Sequence, residues 1–111
     1  MKKYRKVEFY DDHFEKFFIK LPTKVQEKFI WTFQLIEIVK VIPDKYFKHV
    51  EKGIYEVRVK HSSNIYRAFA FFDKNKLVIA INGFIKKTQK IPRTEIDKAH
   101  KIKEQYEKEN K

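Results

Sequence analysis

The chain contains no cysteine, and this absence removes three kinds of chemistry at once. Disulfide cross-links, zinc sites built on thiolates and thiol nucleophiles all need a sulfur atom that the sequence does not supply. A protein without cysteine suits a reducing compartment, so we expect a cytoplasmic location.

Long apolar runs are missing as well. The N-terminal stretch MKKYRKVEFYDDHF is basic, but the apolar segment of a signal peptide does not follow it. No run approaches the roughly 18 apolar residues that a membrane-spanning helix needs. We therefore expect no membrane partner.

Glycine and proline are scarce, with two and three residues in a chain of 111. The sequence shows no linker and no low-complexity segment, and its length suits a single domain, residues 1–111, around one hydrophobic core. Eleven Phe, six Tyr and one Trp provide most of that core.

Positive charge is abundant, since 26 Lys and Arg stand against 15 Asp and Glu for a net charge of +11. Charge alone favours an acidic partner, which leaves nucleic acid, an anionic membrane or an acidic protein. In the stretch GFIKKTQKIP, Lys86, Lys87 and Lys90 stand within five positions. Because like charges repel, these lysines form either a solvated loop or part of a site that binds an anion.

The N-terminal half predicts one strand and two helices. Residues 4–10 alternate as a strand, and the aspartates at 11 and 12 begin a short helix. A long amphipathic helix follows from Val25 to Lys40, and Thr23 with Gln26 predicts a capping box at its start.

The C-terminal half begins with a predicted connecting loop at residues 42–53. The hydrophobic period then becomes two, in strands 54–60, 64–72 and 76–82. Their links are short enough for antiparallel hairpins. Helical spacing returns from Thr94 onward. The sequence thus predicts an α+β domain in the order β-α-α-β-β-β-α, with an antiparallel sheet, a helical hairpin on one face and a C-terminal helix.

Charged residues interrupt the two central strands. Glu56, Arg58 and Lys60 share one face of their strand, which we expect to point to solvent. Arg67 lies in an otherwise apolar row of the next strand, where an unpaired charge is costly to bury. Glu56 is its predicted ion-pair partner across the hairpin.

The segments GIYEVRVKHSSNIYRAFAFF and LVIAINGFIKKTQKIPRTEIDKA resemble the RelE/ParE toxin superfamily, in its phage-derived HigB-like branch. The family pattern falls here at Gly53–Arg58, Tyr66–Arg67, Gly83–Thr88 and Lys90–Ile96. The resemblance is strong over about the C-terminal half, whereas the N-terminal elements agree in order only.

The resemblance implies the toxin of a type II toxin–antitoxin system that enters the ribosomal A site and cuts the messenger RNA held there. It also implies an antitoxin partner with a helix-turn-helix domain and an oligomer formed with it. Cleavage by the neighbouring 2′-OH needs a proton acceptor, a proton donor and a positive clamp for the phosphorane, but no metal and no cofactor. The four histidines, His13, His49, His61 and His100, suggest no designed pair.

Lysines and arginines replace histidine in the resembled family. Arg67 is the predicted phosphate clamp, because a guanidinium stays charged and binds two oxygens. Lys86 and Lys87 are predicted to supply charge or a proton, and Glu56 either accepts a proton or orients Arg67; we favour orientation. The predicted RNA-binding residues are Arg58, Lys60, Tyr66, Phe84, Lys90 and Arg93. Of these, Tyr66 and Phe84 are candidates for stacking on a base, although we favour core packing for Tyr66.

Two other classes of function remain open. A ParE-like toxin poisons DNA gyrase through protein binding on the same fold, and the clustered cations argue against it. A non-catalytic remnant that only binds an antitoxin or DNA is the other alternative. Trp31 lies off the apolar stripe of the long helix and is a candidate antitoxin contact.

Overall fold

The computed structural model describes residues 2–74, 76–79, 84–86 and 91–110, without the side chains of residues 76, 78, 79 and 84–86. The elements, in chain order, are strand β1 (Lys6–Phe9), helices α1 (His13–Phe18) and α2 (Thr23–Ile38), strands β2 (Phe47–Glu51), β3 (Ile54–His61), β4 (Asn64–Asp73), β5 (Lys76–Ile79) and β6 (Phe84–Lys86), and helix α3 (Arg93–Glu109). The predicted α+β class and the order of its elements are confirmed. Across the described residues, no helix is both long and apolar enough to cross a bilayer.

One sheet carries the strands in the order β1-β5-β4-β3-β2, and β6 also pairs with β4. The pair of β1 with β5 is parallel and the other pairs are antiparallel. Strand β4 therefore has β3 along one edge and both β5 and β6 along the other. This central position fixes the residues of β4 more firmly than those of any edge strand.

Strand β2 lies inside the segment that the sequence predicted as a loop. It forms because Phe47 pairs opposite Val57 of β3 and buries its ring in the core. Positive φ angles at Lys52 (41°) and Gly53 (81°) close the tight turn between the two strands. The loop prediction for residues 47–51 is therefore wrong, since long-range pairing decides the conformation of this short segment.

Helices α1 and α2 pack on one face of the sheet. The buried side chains of α2 follow helical spacing: Val25, Phe29, Thr32, Phe33 and Ile36. They join the side chains that β3 and β4 direct to this face, namely Val57, Val59, Tyr66, Ala68 and Ala70. Phe14 of α1 packs edge-on against Phe29, with ring centroids 5.4 Å apart.

The predicted capping box at Thr23 is wrong. Thr23 is already the first helical residue, and Pro22 occupies the N-cap position without a side-chain hydrogen bond. The amide of Gln26 instead donates to the carbonyl of Phe18, at 2.8 Å, and ties α2 to the end of α1.

Helix α3 covers part of the other face, where Ile96 and Ala99 meet Ile54, Phe69 and Phe71. Glu56 lies on the same face and is only 2% exposed, with the guanidinium groups of Arg58 and Arg67 against its carboxylate. The prediction that Glu56 points to solvent is therefore wrong.

Polar contacts attach the N-terminal part of α3 to β2. Glu51 accepts a hydrogen bond from Arg93 Nη1 at 2.6 Å and lies 2.9 Å from His100 Nε2. These two partners, Arg93 above all, lower the pKa of Glu51 from its ordinary value near 4.5 to about 2.

The C-terminal part of α3 is held by two tyrosines. Tyr106 donates to Asp73 and Tyr10 donates to Glu109, each at 2.6 Å. These hydrogen bonds to carboxylates raise the pKa of both hydroxyls to about 12.

Substitution of Phe29 tests the helix–sheet core. Phe29 is fully buried, so Phe29→Ala leaves a cavity and is expected to lower the free energy of unfolding by about 3–5 kcal/mol. Ile19, which is 66% exposed, is the control, and Ile19→Ala is expected to change it by less than about 0.5 kcal/mol. Denaturant unfolding followed by circular dichroism measures both values, and equal losses would contradict this core assignment.

Glu51 predicts a specific acid sensitivity. A carboxyl whose pKa is lower in the folded state contributes stability above its unfolded pKa and loses it as the pH falls. For Glu51 this loss spans about pH 4.5 to about pH 2. The melting temperature of Glu51→Gln is expected to lie below that of the parent at pH 7, with the difference closing across this interval. Thermal melts at several pH values measure it, with exposed Glu104→Gln as control; a difference that stays constant down to pH 2 excludes the ionised Glu51 as its cause.

Candidate functional site

A cleft of about 400 Å³ opens on the sheet face that carries Glu56 and Arg67. Strands β2, β3 and β4 and the segment before α3 provide its described lining: Lys48, His49, Val50, Glu56, Arg58, Arg67 and Ile91. Three of these side chains are cations and one is a carboxylate, so the cleft suits an anion.

The floor of the cleft is a buried ion pair. Arg67 Nη1 donates to both carboxylate oxygens of Glu56, at 2.7 Å each, and both side chains are 3% exposed. The β3–β4 register makes them diagonal neighbours, because Arg67 lies opposite Arg58 and Glu56 opposite Phe69. The ion pair predicted from the alternation of the two strands is confirmed.

Arg58 completes this arrangement from the same strand as Glu56. Its Nε lies 3.2 Å from Glu56 Oε1, within ion-pair distance, and its side chain is 24% exposed. The carboxylate thus lies between two guanidinium groups. Arg58 is the one of the two that solvent reaches, whereas Arg67 lies beneath it.

Two donors of the cleft remain without an acceptor. The Nε atoms of Arg58 and Arg67 are buried and have no hydrogen-bond partner among the described residues. In Arg58 the contact with Glu56 has the distance of an ion pair but not the angles of a hydrogen bond. Buried donors normally find a partner, so these two N–H groups are exceptions among the residues that line the cleft.

The lysine-rich stretch begins beside this pair. In the β4–β6 register, Phe84 lies opposite Arg67 and Lys86 lies opposite Ile65. The side chains of Phe84 and Lys86 lie outside the described residues, as do Lys87 and Lys90 entirely. The roles predicted for these four residues stay predictions.

Three other predicted RNA-binding residues lie elsewhere. Lys60 lines a second cavity, together with Arg58. Arg93 is 62% exposed and binds Glu51 and Asp97. Tyr66 is 4% exposed and packs in the core against the helical hairpin. The core packing favoured for Tyr66 is confirmed and its role as an RNA-binding residue is wrong, because the alternation of β4 directs it to the face opposite Arg67.

Sequence reasoning missed Lys48. This exposed residue lies opposite Glu56 in the β2–β3 register and lines the cleft. His49 also borders the cleft, but its ring packs edge-on against Tyr55, with centroids 5.1 Å apart. The segment FKHVE does not alternate regularly, since its apolar residues are Phe47 and Val50, so it gives no clear local signal for a strand. Across the described residues, no group of three or more His, Asp or Glu side chains is placed to hold a metal ion.

The comparisons with known proteins place the chain in a family. A family model described as Phage derived protein Gp49-like (DUF891) matches residues 16–104, about four-fifths of the chain. The match runs from α1 into α3 and includes all the described cleft residues. The comparison with curated proteins finds no match. The chain therefore belongs to the phage-derived Gp49-like family, a RelE/ParE-like toxin family of toxin–antitoxin systems.

Proposed function

We propose that this protein is the toxin of a type II toxin–antitoxin system, in its HigB-like branch, and that it cuts messenger RNA on the ribosome. The observation that carries the proposal is the cleft in which Lys48, Arg58 and Arg67 surround the single carboxylate of Glu56. Fixed guanidinium groups suit the phosphate backbone of RNA. Family membership supports the toxin–antitoxin setting, and the ribosome places the proposed activity in the cytoplasm.

The proposed reaction is an attack of the RNA 2′-OH on the adjacent phosphorus. The bond from phosphorus to the 5′-oxygen breaks, leaving a 2′,3′-cyclic phosphate on one fragment and a 5′-hydroxyl on the other. Negative charge gathers on the non-bridging oxygens in the transition state, and positioned cations stabilise it. This route needs no metal ion.

Each cleft residue has a proposed part. Arg58 is accessible and binds the phosphate, while Arg67 adds positive charge from beneath. Glu56 orients both arginines, because its oxygens are already engaged and a salt-bridged carboxylate is a poor base. Lys48 stabilises charge at the mouth of the cleft, and the proton transfers fall to Lys86 and Lys87.

The proposed partners are translated messenger RNA and a helix-turn-helix antitoxin that forms an oligomer with the toxin. Co-expression of such an antitoxin, from a reading frame beside this one, is proposed to neutralise the activity.

Substitution of Arg58, the accessible phosphate-binding residue, tests the proposed reaction. Arg58→Gln removes a charged donor and is expected to lower cleavage about 100-fold or more. The measurement is the mapping of RNA 5′ ends in cells after induction, where the parent gives cuts in translated messages that follow the codon period. Lys108→Gln on exposed α3 is the charge-matched control.

Two outcomes contradict the proposal. Growth arrest with DNA-damage signalling and intact messages indicates a gyrase poison of the ParE type. The absence of any effect from the induced parent chain indicates a module without catalytic activity.

The buried pair needs a separate test, because its loss also affects folding. Arg67→Met alone leaves Glu56 with the partly exposed Arg58 as its one ion-pair partner among the described residues and is expected to cost about 3–5 kcal/mol of stability. The double variant Glu56→Leu/Arg67→Met removes both buried charges and is expected to recover most of that loss. We expect it to fold yet to cut messages far less than the parent. Unfolding curves and 5′-end mapping measure both properties, and a double variant that cuts like the parent limits the pair to a structural role.

A further inference from the structure

A second cavity, also of about 400 Å³, lies on the other side of Arg58. Helix α2, the segment before β2 and the β3–β4 hairpin surround it with the following residues: Lys28, Trp31, Thr32, Lys45, Tyr46, Arg58, Val59, Lys60 and Ile65. We define these residues as the aromatic pocket. None of them is used by the proposed cleavage except Arg58, which lines both cavities.

The aromatic pocket presents flat rings to solvent. Trp31, the one tryptophan of the chain, is 51% exposed, and its ring meets Tyr46 edge-on with centroids 5.2 Å apart. Lys45 Nζ lies 4.9 Å from the centre of the Tyr46 ring. The core stripe of α2 does not include Trp31, so packing of the fold does not account for an indole at this position.

The cations of the aromatic pocket are held in place. Lys28 Nζ donates to the backbone carbonyl of Lys60 at 3.0 Å and lies 3.2 Å from His61 Nδ1. The carbonyl is an acceptor at the end of β3, so the ammonium group is tied to the sheet rather than free in solvent. Lys45 adds a further charge at the Tyr46 ring.

No carboxylate is among the described residues that line the aromatic pocket, in contrast to the cleft with Glu56. Its cations therefore lack an internal counter-ion at the pocket wall. Exposed rings beside unpaired positive charge are the combination that binds the bases and phosphates of single-stranded nucleic acid.

We propose that the aromatic pocket binds an unpaired nucleotide of an RNA chain, with its base against Trp31 and Tyr46 and its flanking phosphates at Lys28 and Lys45. Arg58 lines both cavities, although the cleft opens on the sheet face that carries Glu56 and the aromatic pocket lies on the side of helix α2. The binding of RNA by the pocket does not rest on the proposed function. An acidic protein segment fits less well, since carboxylates use the lysines but leave the ring faces without a partner.

Tryptophan fluorescence reports directly on ligand binding at this pocket, because Trp31 is the one tryptophan in the chain. The probe is a 2′-O-methyl RNA heptamer of uridines, which lacks the attacking hydroxyl and cannot be cut by the proposed reaction. Titration of the full chain is expected to quench the Trp31 emission to saturation. Polyglutamate of the same charge is expected to quench it much less.

The contacts are identified by comparing the affinities of variants for the same heptamer carrying a fluorescent label. Fluorescence anisotropy of the label measures each dissociation constant. Tyr46→Ala is expected to raise the dissociation constant about 5- to 100-fold, the range for loss of one base–aromatic stack. Tyr46→Phe keeps the ring and is expected to restore binding. Lys28→Ala is expected to weaken binding and to reduce the slope of log K against log salt by about 0.7, the value for one phosphate of a single strand. Lys108→Ala removes the same charge from α3 outside both cavities and is the control.

Three results overturn the inference. They are binding of the heptamer without a change in Trp31 emission, equal affinity of Tyr46→Ala and the parent, and equal quenching by polyglutamate, which points to an acidic protein partner. The proposed cleavage can be rejected independently of RNA binding by the aromatic pocket. Heptamer binding that persists while no message is cut in cells rejects the nuclease and leaves the aromatic pocket intact.

Discussion

Glu56 carries a negative charge into the interior of the sheet, and the cleft depends on the two arginines that surround it. Arg67 engages both of its oxygens and Arg58 approaches one of them. Desolvation of a buried ion costs several kcal/mol, which the attraction within such a pair repays only when its geometry is good. Replacement of such a pair by apolar residues of similar size is often close to neutral for stability. The presence of three charges at this point therefore agrees better with a functional site than with a requirement of the core.

The rest of the architecture determines how far this charge is exposed. Strand β4 lies between β3 and the pair β5 and β6, so Arg67 is fixed in the middle of the sheet. Helix α3 packs on the same face through Ile96 and the small Ala99, against Ile54, Phe69 and Phe71. The position of Arg58, next to the outer strand β2, leaves it partly open. One guanidinium thus becomes structural support while its neighbour reaches solvent.

The sequence predicted the features that depend on local periodicity. Alternation along the two central strands was sufficient to pair Glu56 with Arg67, since a charge in an apolar row needs a nearby partner. Prediction from local periodicity failed where pairing between distant segments decides the conformation. Strand β2 forms because Phe47 pairs opposite Val57 of β3. Lys48 therefore lines the cleft, although no local sequence pattern was strong enough to predict a strand there. Residues 87–90, central to the prediction, lie outside the described structure.

Errors at single residues have equally physical causes. The capping box failed because Pro22 already fixes the chain direction before Thr23, and the Gln26 amide found the Phe18 carbonyl instead. The exposure predicted for Glu56 is wrong because a strand pattern shows which residues share a face but not which neighbouring side chains cover them. Arg67 of β4 and Arg58 of β3 enclose its carboxylate.

Carboxylates are unevenly distributed among the cavities of this positively charged protein. Carboxylates of Asp11, Glu15 and Glu37 line an apolar groove between β1 and the helical hairpin, whereas the two cavities that share Arg58 include Glu56 as their one described carboxylate. That carboxylate is already engaged by arginines, so the cations around both cavities act on whatever enters from solvent. Phosphate contacts alone carry no information about the bases of a strand. The proposed stacking of one base on Trp31 and Tyr46 adds a contact to the base itself, which the cations of the cleft do not supply.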